Sequence, residues 1–352
     1  METDIFVRAT GRLLPERILS NYEITDLLSR RSPPDVPPAL HQHALRRAEL
    51  TETKTGIRER RFFAETEDVI TIARRLSTQL VPPDVDWATV DAILVASSSI
   101  QGFPGVSQQL VPVLRADHPA LGHPFVLDLT SNACTSFLYA LGVSVALMRS
   151  FGYRNVLCLA VELASRCISY DVRHFGISTL FGDAAAGMLL STQTGFARLT
   201  ALHLGSRIGA DTVDLIRGSG SFPGQPGLEL PPELRWQVDG PKVALAAVDL
   251  LAEAIRRHAA AGAAFDWLIP HQANWRGILL PACRKADVSP ERMLRTIDFM
   301  ANTSTASVPF TFDHYRAQQH FRPGERILLV GFGASFTVAS AMVEMAIGTL
   351  PY

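Results

Sequence analysis

The stretch "FVLDLTSNACTSFLYALGVSVALM", residues 125–148, sets Cys134 between two apolar runs. The first, Phe125–Leu129, reads as a strand. The second reads as a helix over Thr135–Ser150. That helix is apolar nearly all round, with Leu138, Leu141, Val145 and Met148 on one face and Phe137, Ala140 and Leu147 on others. A helix without a polar face belongs inside a protein. The next apolar run, Val156–Val161, supplies a second strand, and parallel strands need such a crossover. The fold class is therefore α/β, with helices sandwiched by sheets.

Outward from this unit, "DWATVDAILVASSS" reads as an approach to a strand at Ala92–Ala96, and "FGDAAAGMLLS" (Phe181–Ser191) as a turn into a buried strand. The Pro- and Arg-rich segment Arg30–Arg47 reads as a loop or short broken helices. Gly205–Gly240 is irregular, a long loop between halves and a candidate active-site rim. Beyond it the expected order is helix Pro241–Ala261, strand Phe265–Ile269, helix Trp275–Ala286, helix Val308–Gln319, strand Arg326–Val330 and a closing strand Phe336–Ala346. The endings "FGDAAAGMLL" and "FGASFTVASAM" resemble each other, which suggests duplicated halves at residues 1–200 and 201–352.

Composition narrows the class. With 352 residues, 47% hydrophobic and 19% charged, the chain can bury a sizeable core, and a net charge of −1 gives no field toward nucleic acid. Glu2 and Asp4 argue against an N-terminal signal, and no apolar run approaches the ~18 residues of a membrane helix. The four cysteines, Cys134, Cys158, Cys167 and Cys283, form no CxxC pair. They fit a reducing cytoplasm better than a disulfide framework.

Most free cysteines simply pack. Cys134 differs by position, because a thiol just before a helix faces unpaired N–H groups and the positive end of the dipole, which lowers its pKa. A nucleophile there still wants a partner. His271, in "LIPHQANWRG", directly follows a strand, at the end where α/β proteins place ligand chemistry. Asn302, in "MANTSTASVPF", reads either as a turn or cap residue or as a non-titrating amide donor. "GFGAS" (Gly331–Ser335) is a glycine turn that lets backbone N–H groups approach a ligand.

Taken together, these pieces resemble the 3-oxoacyl-acyl-carrier-protein synthase III family of thiolase-fold condensing enzymes. "TGRLLPERILSNYEI" (Thr10–Ile24) looks like its N-terminal strand and turn, "TKTGIRERR" (Thr53–Arg61) like its TGIRER segment, and "STLFGDAAAGMLL" (Ser178–Leu190) like its FGDGAGA-type strand. "PHQANWR" (Pro270–Arg276), "ANTSTASVPF" (Ala301–Phe310) and "FGASFTVASAMV" (Phe332–Val343) come next, in the family's order. The resemblance implies a thiolase-like layered α-β-α-β-α sandwich and a Cys134–His271–Asn302 triad. It implies an oxyanion hole from the N–H groups of Cys134 and Ala334. It further implies substrate contacts at Arg276 and Asn274, and at Phe103 an aromatic that crosses a homodimer interface and limits acyl length. The implied reaction takes an acyl group from acyl-CoA or an acyl carrier protein onto Cys134, then condenses it with a malonyl thioester with loss of CO₂. No metal or cofactor is implied.

Three departures bear on substrate. No Trp precedes Trp87, where the family places an adenine-stacking Trp. "SNACTSF" puts Asn132, Thr135 and Ser136 around the nucleophile where the family has small residues. "FGAS" asks Ala334 and Ser335 for backbone angles that glycine takes easily. These suggest a specialised, secondary-metabolic member. Arg46, Arg47, Arg58, Arg60 and Arg61 offer a candidate basic surface for an acidic carrier. The competing readings are an acyltransferase on the same fold that passes the acyl group on without decarboxylation, and a non-catalytic partner subunit.

Overall fold

The computed structural model describes residues 3–221, 230–260 and 264–347. Nine strands are hydrogen-bonded side by side in the order Trp267–Pro270, Arg326–Phe332, Thr337–Met345, Ala197–Ser206, Phe6–Leu13, Ala184–Ser191, Asn155–Glu162, Val90–Ala96 and Phe125–Leu129. The two half-sheets join where Phe6 and Val7 pair with Arg198 and Ala197. Their topologies repeat. In one half, Val90–Ala96 runs parallel to Asn155–Glu162, which then pairs antiparallel with Ala184–Ser191. In the other, Trp267–Pro270 runs parallel to Arg326–Phe332, which pairs antiparallel with Thr337–Met345. The two look-alike "FG" endings lead into equivalent strands.

Side-chain alternation along these strands builds the layers. Ala92, Leu94 and Ala96 of one half and Ile269, Ile327 and Leu329 of the other share a single core with the helices Ser136–Phe151 and Ser307–Ala317. The alternate residues Ile93 and Val95 pack outward under the helices Val69–Leu80 and Val106–Asp117. Leu268, Leu328 and Val330 pack outward under the helix Gly240–Ala260. The result is the α-β-α-β-α sandwich with its most apolar helix in the middle.

Several expectations need correcting. The segment Ala133–Phe151 has the length and mean hydropathy of a membrane span, yet it packs in that middle layer. Of the two readings of Arg30–Arg47, a loop or short broken helices, the loop fails and the break between helices is found, though the second helix is long. Helix Asn21–Arg31 runs into this stretch, and a long helix, Pro38–Thr55, starts within it, with Pro38 at its first turn where the missing N–H costs nothing. Only residues 32–37 separate the two. Trp275–Ala286 begins as a π-helical turn, Trp275–Leu279. The irregular region gives a short pair, Ile216–Arg217 with Gln237–Val238; its residues 222–229, and Ala261 of the expected helix, lie outside the described residues. Strand Ala197–Ser206 runs across the division at 200/201.

Candidate active site

Both middle helices are entered through a tight 3₁₀ turn, Ala133–Thr135 and Ser304–Ala306, and each turn contains a residue at φ 46°, Ala133 and Ser304. Non-glycine residues hold such angles only where the surroundings enforce them. Here the two turns abut. Cys134 Sγ lies 3.3 Å from Ser304 Oγ, and Phe137 N–H donates to Thr305 Oγ1 at 2.8 Å. Burial pushes the Cys134 thiol up to about 12; the Ser304 hydroxyl opposes this and the charge of Glu162 adds to it. The expected depression by the helix start is therefore outweighed, and the resting group is a neutral thiol.

His271 sits one residue past the strand Trp267–Pro270 and is buried. Burial drives its pKa down to about 3, so the ring is neutral. Its Nδ1 lies 2.8 Å from Ser307 Oγ, which also accepts the Gln272 N–H at 3.3 Å. In the tautomer with the ring proton on Nε2, the Ser307 hydroxyl donates to Nδ1. Asn302 is pinned by its backbone to Leu180 and Gly182, and its Oδ1 accepts the Ser304 N–H at 2.9 Å. Its Nδ2 hydrogens are left to donate.

Cys134, His271, Asn302, Asn274 and Ala334 line one cavity of about 570 Å³. Its walls include Phe175, Leu180, Phe181, Ile216, Trp236 and Val238, and Arg47, Lys54 and Arg217 supply positive charge among its lining residues. The irregular region thus does form part of the rim. Asn274 also caps the π turn, its Oδ1 accepting the Gly277 N–H at 2.8 Å. Arg276 is exposed and does not line the cavity. Phe103 is 98% exposed and also lies off the cavity wall.

The polar flank does not face substrate. Thr135 Oγ1 bonds Asn132 O and Thr337 Oγ1, both at 2.8 Å, and so braces the turn, while Ser136 is fully buried and its hydroxyl has no hydrogen-bond partner. Ala334 has no left-handed backbone; the positive φ in that turn is at Phe336, 57°. Of the five arginines offered as a basic surface, Arg60 is fully buried and donates to Leu19 O, Asn21 Oδ1 and Thr179 O.

The sequence alone hides the partners of the triad. Ser304 and Ser307 stand in plain view in "NTSTAS" but read as cap residues. Glu162 ends an apolar strand, a place where a carboxylate ordinarily meets water. Here it is wholly buried, accepting from Ser98 Oγ at 2.6 Å, Ser98 N at 3.2 Å and Thr305 N at 3.3 Å.

Family profiles agree with this arrangement. The 3-oxoacyl-[acyl-carrier-protein (ACP)] synthase III profile matches residues 127–207, and the profile for the C-terminal part of that enzyme matches residues 255–345. The beta-ketoacyl-[acyl-carrier-protein] synthase III of Granulibacter bethesdensis is 32% identical over 350 residues, covering 96% of this chain and 98% of that protein. That of Pectobacterium atrosepticum is 31% identical over 343 residues, covering 95% and 98%. Among solved structures, 3-oxoacyl-(acyl carrier protein) synthase III of Pseudomonas aeruginosa matches with a TM-score of 0.77 at 25% identity, covering 99% of this chain and all of that one. The priming beta-ketosynthase of a polyketide biosynthetic pathway matches with a TM-score of 0.78 at 25% identity, covering 97% and 96%. With a cysteine, a neutral histidine and an asparagine on one cavity wall of a thiolase-like fold, the chain belongs to the 3-oxoacyl-[acyl-carrier-protein] synthase III family.

Proposed function

We propose that this chain is a decarboxylating condensing enzyme. The observation that carries the reading is the pair of neutral polar side chains beside the thiol: His271, kept uncharged by burial and donating from Nε2 in this reading, and Asn302, whose Oδ1 is taken by the Ser304 N–H and whose amide nitrogen is left to donate. Cys134 attacks an acyl thioester of CoA or an acyl carrier protein and retains the acyl group as the CoA or carrier thiol leaves. The N–H groups of Cys134 and Ala334 take the developing oxyanion; one such donor is typically worth about 2.7–4 kcal/mol. A malonyl thioester then binds with its thioester carbonyl on His271 and Asn302. The electrons of the C–CO₂⁻ bond pass into the enolate as CO₂ departs, and the enolate carbon attacks the acyl-Cys134 carbonyl. Collapse frees Cys134 and a 3-ketoacyl thioester.

A fixed pair of uncharged donors suits an enolate, which favours condensation over plain acyl transfer. The apolar walls fit a pantetheine-linked chain, and Arg47, Lys54 and Arg217 suit its phosphates or an acidic carrier. A homodimer belongs to this reading, with the exposed Phe103 as its contact. The idea of a specialised acyl group loses its original support, since Asn132, Thr135 and Ser136 do not line the cavity.

Asn302→Ala is the sharpest test. CO₂ release from malonyl-CoA should fall by roughly a hundredfold or more, while acylation of Cys134, read by intact mass, persists. Equal loss of both, or CO₂ release untouched, would overturn the assignment of Asn302 to the second step.

A further inference from the structure

Glu162 is unexplained by the condensation. It is completely buried at the end of strand Asn155–Glu162, and its Oε1 has no hydrogen-bond partner. Burying a carboxylate with an oxygen unpaired is costly and calls for a reason. A structural brace accounts for Oε2, which gathers the Ser98 and Thr305 N–H groups, but a glutamine carbonyl would serve there as well.

The hydroxyls beside it supply the reason. Ser98 Oγ is 2.6 Å from Glu162 Oε2, Ser304 Oγ is 2.6 Å from Ser98 Oγ, and Cys134 Sγ is 3.3 Å from Ser304 Oγ. These four groups form one unbroken chain from the nucleophile to the carboxylate. The chain also meets a need, because burial drives the His271 pKa down to about 3 and leaves its ring a weak base. Asn302 does not titrate, so the triad offers the thiol proton no good acceptor.

We propose that Glu162 is the destination of the Cys134 thiol proton, delivered through the hydroxyls of Ser304 and Ser98. This deepens the condensing reading and rests on Cys134 being the nucleophile. The Ser304 hydroxyl turns from Cys134 Sγ to Ser98 Oγ, the S–H bond breaks, and its proton binds Ser304 Oγ. The proton of Ser304 passes to Ser98 Oγ, and that of Ser98 to Glu162 Oε2. Glu162 becomes a neutral acid and Cys134 a thiolate, with net charge conserved. Every hydrogen bond along the chain reverses direction, so Ser304 now donates to the thiolate. When the leaving thiolate departs from the acyl group, the proton returns along the same path.

The charges around Glu162 suit this role. Burial raises its pKa and the serine hydroxyls moderate the rise, which makes it a stronger base than a surface carboxylate. The titratable groups that feel its charge are the thiols of Cys134 and Cys167, both pushed up by burial and then by Glu162. Among the described residues no Arg, Lys or His hydrogen-bonds it.

The test is the rate of Cys134 alkylation by iodoacetamide against pH, read by peptide mapping so that the buried Cys158, Cys167 and Cys283 do not interfere. It is run on the full chain, on Glu162→Gln and on Ser98→Ala, each first checked by thermal melt. Wild type should level off near neutral pH. Both variants should react at least roughly tenfold more slowly at about pH 7 and gain tenfold per pH unit, as an unaided thiol does. A folded variant of either kind whose profile superimposes on wild type overturns the relay. The condensing reading fails differently: a wild-type Cys134 that alkylates on the expected profile but takes no acyl group from any thioester would sink that reading and support the relay.

Discussion

In the proposed reaction His271 acts by staying neutral. Its folded pKa of about 3 lies below the unfolded value near 6.5. The unfolded chain therefore binds the extra proton first, and the stability this site contributes is present above about pH 6.5 and is lost as pH falls toward about 3. For the reaction, the same shift means that CO₂ release by acylated enzyme should be flat from about pH 5 to 8. A loss of decarboxylation centred near 6.5 would show instead that His271 titrates in the working enzyme. The candidate site residues were legible because "PHQAN" and "NTSTAS" resemble signatures of the synthase III family. Their partners were not. Ser304 lies 170 positions from Cys134, and the meeting of the two halves brings them within reach; Ser98 lies 64 from Glu162, and the pairing of the neighbouring strands Val90–Ala96 and Asn155–Glu162 sets them side by side.

At the level of elements, the site is two turns pressed together, and Gly333 marks how closely. A Cβ there would come within 2.2 Å of Asn132 O and 2.8 Å of Thr135 Oγ1. Gly333→Ala must push the Ala334–Phe336 turn away from the Cys134 turn. The expected cost is about 1–3 kcal/mol of stability, with Cys134 acylation slowed at least roughly tenfold as the Ala334 N–H moves. Paired melting and single-turnover acylation measurements check this; normal acylation in a destabilised protein would remove Ala334 from the oxyanion hole. Strands and the apolar middle helix were legible from period and composition. The helix Pro38–Thr55 was not, because a proline at a first helical turn and a proline in a loop look alike until the downstream backbone is seen to be helical. The polar flank misled for a related reason: Thr135 and Ser136 show their chemistry in the sequence but not their direction, since Thr135 turns to Thr337 and Ser136 is buried away from the cavity.

Across the whole molecule, duplication explains the division of labour. Each half delivers a turn at the head of its middle helix, one carrying Cys134 and the other carrying Ser304 and Asn302, and the shared core holds the two heads together. Arg60 shows the same economy: a motif arginine that reads as surface charge is spent on three internal acceptors, with burial lowering its pKa to about 10. Discharge of the acyl-enzyme decides whether Cys134 carries an acyl group that a decarboxylated malonyl unit removes. The protein is acylated, freed of excess donor, and mixed with a malonyl thioester while the Cys134 peptide mass and CO₂ are followed together. A condensing enzyme loses the adduct with one CO₂ and one 3-ketoacyl thioester formed for each acyl group lost. Loss of the adduct to an acceptor without CO₂, or CO₂ release that leaves the adduct in place, would contradict that chemistry.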